Sequence, residues 1–326
     1  MSTDRADILG AARVFALPMR LQFRGITTRS GMLLSGPAGV GEFAPFDNYT
    51  DEQCVPWLRS ALEAAETGWP APRRDRVPVN TTVPVVDPDT AHRLVAESGC
   101  RTAKVKVADR GAFAEVLAAD AERVAAVRAA LGPAGAIRVD ANGAWSVAEA
   151  LQSIAVLDVA AGGLQYVEQP CATVAELAEV RRATHVLIAA DESIRLAGDP
   201  AKVALAGAAD VAVIKVAPLG GVRRSLQVAA AAGLRVVVSS AVDSAVGLAA
   251  GLALAGALPT LELACGLGTG SLLADDVSTA GMVVVDGFLP VPTRAPEPDR
   301  IDAVAADPER ERWWRDRLAR VAALLG

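Results

Sequence analysis

Three carboxylates stand at the ends of three short apolar runs: Asp140 in IRVDANGAW, Glu168 in LQYVEQP and Asp191 in LIAADES. They lie 28 (140 to 168) and 23 (168 to 191) residues apart, so they converge only if successive parallel strands end on one face. Convergent carboxylates need a cation. An all-oxygen set suits Mg2+ or Mn2+ and not zinc, which prefers nitrogen and sulfur. Lysines flank the trio: Lys104 and Lys106 in AKVKV, and Lys215 in VIKVAPLGG. Residues two apart on a strand share a side, so Lys104 and Lys106 face one region. A lysine enclosed there among other cations can have its pKa lowered enough to act as a base. Taken singly, each motif has an ordinary reading. A strand-end Asp often caps the next helix, a lone Lys usually lies at the surface, and EQP marks a turn. The order Lys, Asp, Glu, Asp, Lys on five consecutive strands has no purely structural reason.

The elements that must position these groups follow a repeated alternation of short strand and longer Ala-rich helix. Strands are expected at 77–83, 102–107, 136–140, 164–168, 186–190, 211–216, 235–239 and 261–265. Helices at 113–131, 147–157 and 174–184 supply the crossovers that parallel strands require. Eight such units suggest a β/α barrel, and a doubly wound open sheet produces a similar alternation.

Before this alternation, residues 17–46 read as strands with Gly turns, and 50–67 as a helix with Thr50 as N-cap and Asp51 and Glu52 in its first turn. This makes a small α+β unit. The Pro- and Arg-rich stretch 70–76 is the natural boundary, giving an N-terminal unit 1–76, a barrel 77–270 and a C-terminal segment 271–326 that packs back on both. Pro290, Pro292, Pro296 and Pro298 mark an extended connector, and 308–325 forms an amphipathic helix carrying Trp313 and Trp314.

Bulk properties narrow the function. The chain is 326 residues, 52% hydrophobic and only 4% aromatic, so its core is built mostly from Ala, Val and Leu. A net charge of −6 gives no footprint for a polyanion, which excludes nucleic acid as a partner. Cys54, Cys100, Cys171 and Cys265 form no CxxC pair and read as reduced and buried. The start MSTDRAD has no signal-like apolar run, so a cytoplasmic location is expected. The uncharged stretch 244–261, 18 residues long, is Gly- and Ala-rich, holds Pro259 and reads as a buried helix rather than a membrane span. Nothing in the sequence sets an oligomeric state.

The set KVK, DANGAW, EQP, DES and IKVAPLGG closely resembles the muconate-lactonizing subgroup of the enolase superfamily over residues 101–221, and GVGEFAP resembles its N-terminal cap. The resemblance implies an α/β fold: a modified (β/α) TIM-type barrel with an α+β capping domain. It also implies Mg2+ held by Asp140, Glu168 and Asp191, with Lys106 and Lys215 as acid/base groups acting on a carbon next to a carboxylate. Lysine-based chemistry with Mg2+ stabilising an enediolate is a known pattern of this superfamily. His92 and His185 end no strand, which disfavours the subgroup with a His-Asp base. The segment CGLGTG lacks the Asp-x-Asp of dipeptide epimerases, and VVVSSAVDSAVGL followed by GLGT is similar to the dehydratases of the subgroup. Gly268 departs from the pattern, since members often carry an acid there. The dehydratase reading places Ser239, Ser240, Gly266 and Leu267 around a small-molecule carboxylate, with the loop 23–28 closing over it. Ser239 and Ser240 could equally be helix caps. An N-acylamino acid racemase or cycloisomerase, and a non-catalytic metal-binding protein on the same fold, are the alternatives.

Overall fold

The computed structural model describes residues 5–23, 25–195 and 207–325, with nothing said of the side chains of Phe23 and Arg195. The chain opens with an antiparallel three-stranded sheet of β1 (Arg13–Phe23), β2 (Ile26–Gly36) and β3 (Gly39–Phe43), in the order β1-β2-β3. The helix Asp51–Glu66 covers it, and starts where expected. Thr50 accepts from the Gln53 backbone while the Gln53 side chain accepts from the Thr50 N–H, a reciprocal capping box. The helix lies so close to β3 that a Cβ on Gly41 would fall 2.0 Å from the Ala61 carbonyl oxygen. Only glycine admits that approach.

A seven-stranded parallel sheet follows, from β5 (Thr81–Val83) through β6 (Thr102–Lys106), β7 (Ala136–Asp140), β8 (Tyr166–Glu168), β9 (Ile188–Ala190) and β10 (Val211–Ile214) to β11 (Arg235–Val238). Parallel strands need crossovers, and helices Phe113–Leu131, Val147–Ala161, Val174–Ala183 and Val222–Ala232 provide four of them. The sheet curls, and its two edges meet through a single short segment. Cys265 bridges Val79, just before β5, and Gly266 bridges Ser239, just after β11. The fold is therefore a barrel-like parallel α/β unit with a separate antiparallel cap, and not a doubly wound open sheet.

Several expected strands change on inspection. The run 77–83 splits: β4 (Arg76–Pro78) pairs antiparallel with β12 (Phe288–Pro290), and only β5 joins the parallel sheet. The β12 strand is not among the expected strands and ends at Pro290, where the extended connector begins. The run 261–265 forms no strand: Cys265 and the following Gly266 make isolated bridges to Val79 and Ser239. The strand at 211–216 stops at Ile214, where the helix Val216–Leu219 takes over.

The stretch after Ser244 is the buried helix Ala245–Ala257, in which Gly251 and Gly256 lie against Leu267 and Val291. Among the described residues no helix is long and apolar enough to cross a membrane. All four cysteines are free and buried. The terminal helix Pro308–Ala323 docks on the cap. Trp314 is fully buried, edge-on to Phe43 at 5.8 Å between centroids, and donates its indole N–H to Ser30 Oγ at 3.1 Å.

The cap is also tied to the barrel by a buried acid. Glu42 of β3 accepts from the backbone N–H of Ser244, at 3.1 Å, and from its hydroxyl, at the start of the buried helix. Burial, then the nearby Asp243 carboxylate, push the Glu42 carboxyl up to about 8. Because this folded value lies above the unfolded one, the folded state holds the extra proton. The resulting stability is complete below pH 4.5 and is lost as pH rises through about 8. The melting temperature should therefore fall between pH 5 and 8, and Glu42→Gln should flatten that slope. An unchanged slope in the variant would remove Glu42 as its source.

Candidate active site

Lys106, Asp140, Glu168, Asp191 and Lys215 stand at the C-terminal ends of parallel strands, and Lys104 lies one inward-facing position deeper on β6. Register sets the level: Lys106 pairs with Asp140 across β6 and β7, and Asp140 with Glu168 across β7 and β8. Asp191 follows β9 directly and Lys215 follows β10 directly, so Lys215 sits at the first turn of the next helix rather than on the strand. All six side chains, including Lys104 inside β6, are buried.

Burying three carboxylates is tolerable only with compensating charge. Here three ammonium groups supply it. Lys104 Nζ donates to Asp140 Oδ2 at 3.1 Å and to Glu168 Oε1 at 2.9 Å, Lys106 bonds to Asp140, and Lys215 bonds to Asp191. Burial and then Asp140 push the Glu168 carboxyl up to about 7, which reflects how closely like charges are crowded. Burial works against the charge on Lys104, yet Glu168 and Asp140 outweigh it and hold its pKa well above the usual lysine value. The sequence reading expected lysines among cations with lowered pKa. Lys104 instead lies among carboxylates, bonded to both Asp140 and Glu168.

Ammonium groups, not three converging ligands, define the present geometry: among the described residues no cluster of three carboxylate, imidazole or thiol groups is drawn together closely enough to hold a metal. The donor chemistry still fits a hard divalent cation. Asp140, Glu168 and Asp191 supply only oxygen, they are buried, and neighbouring strands carry them to the same mouth.

Two amides that sequence reasoning passed over organise the mouth. Asn142, with φ of +49°, accepts from Lys106 Nζ through Oδ1 at 2.7 Å, and its backbone N–H donates to Asp140 Oδ1 at 3.0 Å. Gln169, with φ of +41°, accepts through Oε1 from the backbone N–H groups of Asp191 at 3.0 Å and Ser193 at 3.2 Å. Both lie in the quoted motifs DANGAW and EQP. The available signal was an amide residue one or two positions beyond a strand-end acid, where the chain must turn sharply.

A small cavity opens beside these groups. Lys104, Lys106 and Lys215 line it together with Thr82, Ser239, Ser240 and Thr269, and Phe46 reaches in from the cap. Ser239 and Ser240 are not helix caps, since Ser244 caps the following helix; the Ser240 hydroxyl pairs with Thr269 at 2.6 Å. Gly266 and Leu267 are not among the lining residues. Gly266 closes the barrel and Leu267 is buried against Gly251. A Cβ on Gly268 would meet the Asn80 carbonyl oxygen at 2.5 Å, so no acidic side chain fits there without a shift in the backbone. Of the expected closing loop 23–28, residue 24 and the Phe23 side chain lie outside the described residues. Its flanks split: Gln22 and Gly25 border a wide cleft beside Lys106, and Ile26 and Thr28 face a separate cleft within the cap. His92, on the helix Pro88–Glu97, and His185, three residues before β9, are both exposed, and neither follows the C-terminal end of a parallel strand.

This combination of antiparallel cap, curled parallel sheet and strand-end acids defines a class of fold, and comparison identifies it. An Enolase C-terminal domain-like model matches residues 88–296 and an Enolase N-terminal domain-like model matches residues 14–65, so the chain belongs to the enolase superfamily. It is similar to proteins named o-succinylbenzoate synthase. One, from Thermobifida fusca (strain YX), is 56% identical over 311 residues, 95% of this chain and 96% of the relative. Another, from Mycobacterium ulcerans (strain Agy99), is 54% identical over 320 residues, 98% of this chain and 95% of the relative. Among solved structures, muconate lactonizing enzyme from Pseudomonas putida aligns with a TM-score of 0.73 at 21% identity, covering 91% of this chain and 98% of that one. That likeness is one of fold. Members of the superfamily use a divalent metal.

Lys106→Ala and Lys215→Ala should each lower turnover by roughly 10²–10⁴-fold. Both should still bind Mn2+, and without metal each should melt at a lower temperature than the unaltered protein, because a buried carboxylate loses its ammonium partner. Near-normal turnover in Lys106→Ala would exclude it as the acid/base group.

Proposed function

We propose that the protein is an o-succinylbenzoate synthase. This carbon–oxygen lyase dehydrates 2-succinyl-6-hydroxy-2,4-cyclohexadiene-1-carboxylate to 2-succinylbenzoate in menaquinone biosynthesis. The observation that carries the reading is a cavity lined by Lys106 and Lys215 beside three buried carboxylates, in a chain more than half identical to synthases over nearly its whole length.

Asp140, Glu168 and Asp191 would hold the cation, with Mg2+ the best match to an oxygen-only set and Mn2+ the alternative. A bound divalent cation supplies the positive charge without which an enediolate, formed by removing a proton next to a carboxylate, is inaccessible. Lys106 takes that proton. The C–O bond then breaks as the ring becomes aromatic, and Lys106 returns the proton to the departing hydroxyl, which leaves as water. Lys215, from the next-but-three strand, remains an ammonium and stabilises the enediolate from the other side. Lys104 keeps Asp140 and Glu168 in register. The Ser239 and Ser240 hydroxyls, both on the cavity wall, contact the substrate.

Two lysines on one cavity also suit a racemase, in which each acts as a base on one face of the same carbon. Absorbance-monitored aromatisation of the cyclohexadiene by purified protein separates the readings. The synthase reading expects turnover with Mg2+ that stops with EDTA. No turnover, together with exchange of the α-hydrogen of N-acylamino acids in D2O, would establish the racemase instead.

A further inference from the structure

The ammonium end of Lys106 is held by Asp140 and Asn142, but its backbone end is held from elsewhere. Asp120 and Arg123 lie on the helix Phe113–Leu131, the crossover that follows β6, and both are buried, at 1% and 5% exposure. They form an ion pair at 2.6 Å. Their remaining bonds go to the chain on either side of Val107. Arg123 Nη1 donates to the Lys106 carbonyl oxygen at 3.2 Å, and Asp120 Oδ2 accepts from the Ala108 N–H at 2.8 Å. Arg123 Nε donates further to the Val86 carbonyl oxygen at 2.7 Å, anchoring the pair to the segment after β5.

Ala108 carries φ of +62°, a left-handed conformation that an alanine does not adopt unaided. The chain therefore turns sharply two residues beyond Lys106 under external constraint. A buried ion pair is a poor source of stability compared with apolar packing, so its bonds indicate what it is kept for. These bonds fix the backbone on which Lys106 stands. An error of about 1 Å in placing a catalytic group is enough to cost roughly 10²-fold in rate.

We propose that Asp120 and Arg123 are positioning residues for the reaction, clamping the Lys106–Ala108 turn so that the Lys106 amine meets the substrate carbon. The proposal rests on Lys106 being the base. Two readouts keep the two ideas separate. The first needs no substrate: the labelling rate of Lys106 by an amine-reactive reagent, read by mass spectrometry. In Asp120→Asn this rate should rise severalfold as the turn loosens. The second is the split of kinetic constants on the synthase substrate, where kcat should fall roughly 10–100-fold with KM within about twofold and Mn2+ affinity unchanged. Ala108→Gly, which removes the left-handed cost, provides the control for mere destabilisation. In Asp120→Asn/Ala108→Gly the melting temperature should recover and kcat should not. Unchanged labelling in Asp120→Asn would overturn the clamp whatever the enzyme's substrate. Recovery of kcat together with melting temperature would overturn the positioning role and leave the pair a purely structural one.

Discussion

The structure depends on balancing three buried carboxylates against three buried ammonium groups at one end of a parallel sheet. Asp140, Glu168 and Asp191 could not be buried alone, and Lys104, Lys106 and Lys215 bond to them in this structure. The hydrophobic core of the barrel that carries them is built mostly from Val, Ala and Leu. The charge balance can therefore change only by exchange between these groups and a cation or substrate entering the mouth. A divalent cation among the carboxylates would release lysine partners and leave amines next to the substrate cavity. Lys104 bridges two acids, Glu168 and the Asp140 that it shares with Lys106.

The rest of the molecule serves to close and orient that mouth. Two residues, Cys265 and Gly266, complete the curled sheet, and the glycines around them let Ser239 and Asn80 come close. The cap contributes Phe46 to the cavity wall and Glu42 to the start of the buried helix. Trp314 and Arg317 of the terminal helix bind the cap in turn, Arg317 donating to the Phe46 carbonyl oxygen at 3.1 Å. One end of the chain thus braces the other behind the residue that faces the site.

Much of this was legible in the sequence because local chemistry and tertiary structure agree. The helix Phe113–Leu131 and the Thr50 cap matched their patterns, and the strand-end acids lay at one mouth because parallel strands in a curled sheet leave them nowhere else. What escaped was set by partners distant in sequence. The bridges at 265 and 266 exist because two sheet edges meet there, and β12 exists because Arg76–Pro78 needs a partner. Asp120 and Arg123 look like the solvent face of an Ala-rich helix until the strained turn at Ala108 is seen beside them. The charged state of Lys104 could not be read from spacing, since it turns on whether its neighbours are cations or carboxylates.

The central claim is that the three strand-end carboxylates form one divalent-cation site. Titration of Mn2+ into the unaltered protein and into Asp191→Asn, followed by electron paramagnetic resonance, tests it most directly. One ion per chain in the unaltered protein, bound markedly more weakly by the variant, is the result predicted. Equal binding by both would contradict it and place the metal elsewhere.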